Sequence, residues 1–291
     1  MSFTIVTDAG SALDPRVLEQ EDFLVIPMSV IIDNEEYPYS MFDDTRSHEF
    51  FELLRSGKIS KTSQPNKMQV TEVLNKTFNL GKDIIYIGFS DKLSGTFDLT
   101  EETFKELSQE HPSIRYTVIN TKAASGGMGI LGYKALKFRN EGLSFDEASD
   151  KLKELVHHTC HWFTVENMET LRRGGRIGFI KSKAVDALNI KPILTVEADG
   201  TLNARKTVRG RKRSIVALSD KFTEYADLDL TGDKVIICHG DCADEAQKLK
   251  DFICDSTDMK AENIELISIG PIIGSHTGPG SVALFFFGNK I

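Results

Sequence analysis

The sequence predicts an α/β chain of two domains. The first has a mainly parallel sheet with helices on both faces, and the second is an α+β domain. Three observations carry this. In the first half, strand-length apolar runs alternate with longer stretches of helical spacing, and strands joined by helices pair in parallel through right-handed crossovers. In the second half, two alternating runs flank Ala198-Asp199-Gly200, and Asp-Gly between such runs signals an antiparallel hairpin. The chain has 291 residues, 40% hydrophobic and 27% charged, which suits a globular protein of one or two domains.

Each element has its own signal. Phe3 to Asp8 is a short apolar run closed by an acid. Phe23 to Ile32 is a longer run broken by Pro27. Ser47 to Leu54 and Met68 to Leu80 have helical spacing. Ile84 to Phe89 is a buried-type strand, Phe97 to Leu107 a helix, Ile114 to Ile119 a strand and Ala123 to Arg139 a helix. Leu143 to Val156 is a further helix, with Ser144 and Glu147 spaced as a capping box. Beyond a domain boundary near Cys160 to Val165, the strands Ile190 to Glu197 and Thr201 to Val208 form the hairpin. A helix from Ser214 to Tyr225, a strand from Lys234 to Cys238, a helix from Asp244 to Cys254 and a strand from Glu265 to Ile269 follow. Val282 to Phe287 is the last strand. The domains are therefore placed at residues 1–162 and 163–291.

Charge and composition exclude several classes. The chain carries 35 basic and 43 acidic residues, a net charge of −8. From Asp14 to Glu52 eleven acids face two bases, which accounts for the whole negative balance. Two basic islands run the other way: Arg172, Arg173, Arg176, Lys181 and Lys183, then Arg205, Lys206, Arg209, Arg211, Lys212 and Arg213. An acidic chain with two such islands is a poor general nucleic-acid binder. The islands suit either docking of an acidic partner or anionic substrate, or a solvated face with internal ion pairs. No apolar run approaches the ~18 residues of a membrane helix. The first eight residues lack a basic n-region, so no signal peptide is expected. Four sparse cysteines fit reduced thiols and a cytoplasmic protein.

Four polar segments stand out. Ser94-Gly95-Thr96 follows a buried strand and opens a helix, where ligands bind in parallel sheets and free N–H groups favour anions. A plain N-cap role for Ser94 is the alternative. Lys61-Thr62-Ser63-Gln64-Pro65 is a hydroxyl-rich loop ahead of a helix. Gly270 to Gly280, with four glycines and two prolines among its eleven residues, predicts a rigid loop holding one histidine, His276. Leu171-Arg172-Arg173-Gly174-Gly175-Arg176-Ile177 has neither a P-loop nor a dinucleotide-loop pattern, so ATP and NAD(P) are not expected as cofactors. His157, His158, Cys160 and His161 crowd together, as do Cys238, His239 and Cys242. Neither group has zinc-ligand spacing, and no metal is expected.

Taken together, these segments resemble the DegV family over essentially the whole chain. The carriers are Thr7-Asp8, Thr62-Ser63-Gln64-Pro65, Leu93-Ser94-Gly95-Thr96, Arg173-Gly174-Gly175-Arg176-Ile177 and Gly274-Ser275-His276-Thr277-Gly278-Pro279-Gly280. The chain departs from the family's pattern at Ala9 and Asn66, where serine is usual, and at Asn120, where aspartate is usual.

The resemblance implies a long-chain fatty acid such as palmitate in a tunnel between the domains. It implies a carboxylate held by Thr62 and Ser94 at Gly95, with His276 supporting the hydroxyls. It also implies a carrier without a catalytic centre, whose partner is a separate ATP-binding kinase subunit that makes the acyl phosphate. Arg173 is a plausible acyl-phosphate contact on motif position, and Arg205 and Arg209 are further candidate contacts to the partner. A monomer is expected. A Ser94/His276 acyl hydrolase and a lipid-responsive regulator are the rival readings; the missing Gly-x-Ser-x-Gly pattern counts against the first.

Overall fold

The computed structural model describes residues 3–18, 22–39, 44–166, 168–176 and 189–289. The first half runs β1 (Thr4–Asp8), α1 (Pro15–Leu18), β2 (Phe23–Ile26), β3 (Met28–Ile32), β4 (Glu35–Tyr39), α2 (Asp44–Arg55), β5 (Ser60–Ser63), α3 (Lys67–Phe78), β6 (Ile84–Gly88), α4 (Thr96–Leu107), β7 (Tyr116–Asn120), α5 (Gly126–Asn140) and α6 (Phe145–His158). The second half runs β8 (Thr159–Thr164), α7 (Glu169–Arg173), β9 (Ile190–Val196), β10 (Leu202–Arg209), α8 (Arg211–Tyr225), α9 (Leu228–Thr231), β11 (Val235–His239), α10 (Ala243–Ser256), β12 (Ile264–Ser268), α11 (Pro271–Thr277) and β13 (Val282–Phe287).

The first sheet has the order β2-β1-β6-β7, and every pair in it is parallel. Its strands are largely apolar because both faces are covered, with Asp8 at the end of β1 the charged exception. On one face α3 and α4 bury Val70, Leu74, Phe78, Phe97 and Phe104 against Val6, Ile84 and Tyr86. On the other lie α5 and α6, the latter opened by the capping box that Ser144 and Glu147 predict.

The second sheet has the order β10-β9-β8-β13-β11-β12, antiparallel except at β11–β12. Helices α8 and α10 cover one face through Ile215, Leu218, Phe222, Leu249 and Ile253. Helix α5 touches strands of both sheets. A helix so placed must be slim where it is buried, over Gly126 to Gly132. Its glycines make it slim: a Cβ on Gly129 would run into the Ala12 carbonyl, and one on Gly126 into the Phe285 ring.

Four expectations change. The run from Phe23 to Ile32 is two strands in different sheets, split at Pro27, which has no N–H for a ladder. Strand β3 instead pairs with β4 and β5 in a third, antiparallel sheet, so Thr62 and Ser63 lie on a strand and not in a loop. The Gly270–Gly280 segment is not one rigid loop, because helix α11 occupies its centre with Pro271 in the first turn. The boundary between 162 and 163 falls inside β8, which starts directly after α6 and belongs whole to the second sheet. Ile177, Lys181 and Lys183 lie outside the described residues.

Candidate functional site

The first sheet adds β2 on one side of β1 and then β6 and β7 on the other, so its strand order reverses between β1 and β6, and the loops leaving these two strands flank that point. Asp8 ties the loops together. Its fully buried carboxylate accepts N–H groups from Gly10 at 3.0 Å and Phe89 at 3.0 Å and the Tyr86 hydroxyl at 3.1 Å. Burial pushes its pKa up to about 6, against the lowering effect of these donors. The result is a fixed path for Phe89, Leu93 and Ser94.

These residues wall a cavity between the sheets. Its sides are Phe89, Leu93 and Ala124 from the first half, and Phe163, Ala283 and Phe285 from β8 and β13. Val196 and Leu202 from the hairpin and Ile269, Ile272 and Ile273 around α11 also line it. Polar groups gather at one end: Thr62, Gln64, Ser94, Gly95, Arg176 and His276.

Thr62 Oγ1 lies 2.7 Å from His276 Nε2. Strand β5 and helix α11 pack together, which brings these residues into contact across the fold. Burial first, then the nearby Arg176 charge, pushes the His276 pKa down to about 4, so the ring is neutral at neutral pH. Its buried Nδ1 has no hydrogen-bond partner among the described residues. An orphaned N–H is rarer and costlier than an orphaned acceptor, which favours the tautomer with the proton on Nε2. Nε2–H then donates to Thr62, and the Thr62 O–H stays free to donate to a ligand.

Ser94 is arranged in a related way. Its Oγ accepts the Thr96 N–H at 3.2 Å and lies 2.8 Å from Thr96 Oγ1. It is not the N-cap of α4; Gly95 is. When Thr96 donates, the Ser94 O–H also points its proton elsewhere. Two glycines make room here. A Cβ on Gly95 would overlap the Gln64 amide, and one on Gly174 would overlap the His276 ring.

The structure thus brings Thr62, Ser94, Gly95 and His276 together. Arg173 lies in an adjoining polar cleft with Lys58, Lys61 and Thr170, and the cleft shares Thr62, Arg176 and His276 with the cavity. Arg173 also bonds Glu169 at 3.1 Å. Arg205 and Arg209 line neither space; Arg205 sits at a register shift in β10 and pairs with Glu197 at 2.6 Å. Sequence reasoning missed Arg176 as a site residue. Its Nε donates to the Leu93 carbonyl at 3.3 Å, and a terminal nitrogen donates to the Gly174 carbonyl at 2.5 Å. Its place beside Gly174-Gly175 was the available signal.

A Ser–His hydrolase arrangement is not formed. His276 Nε2 engages Thr62, while among the described residues no acid orients Nδ1. Among the described residues, the two His/Cys groups do not bring three ligand atoms together. His48, Glu52 and Asp241 do, yet Arg55 already pairs with both acids.

Comparison with known proteins agrees with this architecture. A family model described as "Uncharacterised protein, DegV family" matches residues 2–289. The DegV domain-containing protein CPE0026 of Clostridium perfringens is 32% identical, with 99% of this chain and 98% of that protein covered. A fatty-acid-binding DegV family protein from Thermus thermophilus is 27% identical with a TM-score of 0.86, covering 99% of this chain and 100% of the other. The fold is shared with the Streptococcus pneumoniae Fatty Acid Kinase (Fak) B3 protein loaded with linoleic acid, at 19% identity, a TM-score of 0.85 and 99% coverage of both chains. The chain belongs to the DegV family.

Proposed function

We propose that this protein is a carrier that binds a long-chain fatty acid and presents its carboxylate to a separate, ATP-holding kinase subunit. One observation carries the reading: an apolar cavity ends at two hydroxyls, Thr62 and Ser94, backed by a neutral His276, and with His276 Nε2–H and Thr96 as donors both hydroxyl protons are left for a ligand. Neutral donors hold a carboxylate without covering it with a counter-charge, and an oxygen stays available to attack a phosphoryl donor. Such charged hydrogen bonds contribute ~1.5–3 kcal/mol each. At roughly 0.8 kcal/mol per buried methylene, a ~C16 tail adds on the order of 10 kcal/mol before ordering costs.

The adjoining cleft supports the second half of the reading. Lys58, Lys61, Arg173 and Arg176 line it, with Glu169 the one acid among the described lining residues. A phosphoryl group delivered there would meet positive charge beside the carboxylate. The similarity of fold to the Fak B3 protein points the same way.

Native mass spectrometry tests the carrier reading. Protein purified from bacteria is expected to carry a fatty acid, or to take up added palmitate or oleate. Apo protein that takes up neither would refute it. Acyl phosphate is expected only when a fatty-acid kinase subunit and ATP are both added.

A further inference from the structure

The cavity wall holds two polar side chains far from the head-group end, and the reading above gives them no role. Ser125 and His161 both line it, at 4% and 1% exposure. Their depth follows from β13. Ser281, Ala283 and Phe285 line the cavity on alternate positions of this segment, and Ser281 donates to Thr277, the neighbour of His276. His161 pairs in register with Phe285, and its ring meets the Phe285 ring edge-on with centroids 5.9 Å apart. Ser125 lies beside Cys238, which pairs with Ala283. Two to four strand residues beyond Ser281 is ~7–13 Å, or about six to eleven bonds of an extended chain. Both groups therefore face the middle of a long acyl chain.

Ser125 is built for this position at a cost. It precedes helix α5 as its N-cap residue, yet its side chain makes no capping bond. Its φ of 55° and ψ of −132° lie where a residue with a Cβ is strained. Backbone bonds impose the strain: the Ser125 N–H donates to Gly10 at 2.8 Å, and its carbonyl accepts from Ala12 at 3.1 Å. Glycine is the ordinary residue for such a backbone. Among the described residues the buried Ser125 Oγ makes no hydrogen bond of ordinary geometry, and the weakly polar Cys238 thiol lies beside it. A plain alkyl chain leaves that hydroxyl unmet, and buried polar groups are paired as a rule.

We infer that Ser125 and His161 form a second polar subsite, and that the preferred ligand is a fatty acid bearing a hydroxyl near mid-chain. The ligand hydroxyl can accept from the Ser125 O–H, and the His161 ring lies at the same start of α5, against Gly127. This rests on the fatty-acid reading.

Delipidated protein should be titrated with octadecanoic acid, oleic acid and 10-hydroxyoctadecanoic acid. The hydroxy acid is expected to bind at least tenfold tighter than octadecanoic acid. In Ser125→Gly, where glycine suits the backbone, and in His161→Phe, that ratio is expected to fall towards one; if His161→Phe does not fold, Ser125→Gly carries the test. A wild-type ratio near one, oleic acid binding as tightly as the hydroxy acid, or a ratio that survives both substitutions overturns the subsite while leaving the carrier reading intact. Failure of all three acids to bind overturns both.

Discussion

The Thr62–His276 contact sets what the polar end of the cavity can do, and it works because the imidazole is neutral. Under the carrier reading, Thr62→Ala or Ser94→Ala removes one donor to the carboxylate. Each is expected to weaken fatty-acid binding by ~1–3 kcal/mol, roughly 5- to 150-fold, with thermal stability retained. Calorimetric titration with palmitate checks this, and two variants that bind like the parent would move the carboxylate elsewhere. Gly174→Ala should imitate them from outside the cavity, since the added methyl displaces the His276 ring. Ser94 and His276 stood out in the sequence through the glycines near them, whereas Thr62, with no glycine beside it, was singled out only by the DegV resemblance. Arg176 did not stand out, because its alignment depends on the Leu93 carbonyl, more than eighty residues away.

Two buried titrating groups give the molecule opposed acid responses. Asp8 has a folded pKa of about 6 against an ordinary 3.8, so the stability it contributes is full below 3.8 and lost as pH rises through 6. His276, at about 4 against 6.5, contributes stability that is present above 6.5 and lost as pH falls towards 4. Between pH 4 and 6 the two partly cancel. The stability deficit of Asp8→Asn relative to the parent should therefore grow as pH falls from 6 to 4. Urea midpoints across that range measure it, and a deficit independent of pH would show that Asp8 does not titrate there.

At the scale of elements, the apolar strands and amphipathic helices were legible, and the elements that others create were not. Strand β5 reads Ser60-Lys61-Thr62-Ser63, with Thr62 its one strand-favouring residue; its pairing with β3 makes it a strand. Helix α11 contains Gly274, which reads as a breaker, yet Phe50 and Phe51 press against that position and leave no room for a side chain. Strand β8 follows α6 without a turn, so no punctuation marked where the second sheet begins.

The second basic island also divides by element. Arg211, at the start of α8, donates to Glu245 at 2.6 Å and to the Gly280 carbonyl at 2.5 Å, with its side chain 18% exposed. It braces the turn into β13. Arg211→Ala should cost about 2–3 kcal/mol in chemical denaturation, whereas Arg209→Ala on exposed β10 should stay within ~0.5 kcal/mol. Equal losses would mean that the Arg211 contacts do not brace the fold.

For the whole molecule, the carrier reading offers two charged faces for docking. Helix α2, where the acidic segment ends, is tied to the second half: its His48 and Arg55 both pair with Asp241 after β11. The basic groups split between the cleft around Arg173 and the β10 face bearing Arg205 and Arg209. If β10 docks the kinase subunit, the double change Arg205→Glu and Arg209→Glu should leave palmitate binding within about twofold of the parent, because neither residue lines the cavity. Acyl-phosphate formation at low salt should fall on the order of tenfold, through slower association. The gap between parent and variant should narrow as salt rises, since the Debye length is only ~10 Å at 0.1 M. Arg211 is left out of this variant because its loss would weaken the fold and be mistaken for lost docking. A double variant that couples normally, alongside an Arg173→Glu variant that binds palmitate but forms no acyl phosphate, would move the docking surface to the cleft. The phosphoryl donor and the partner would then approach from the same side as the carboxylate, and β10 would be a solvated edge.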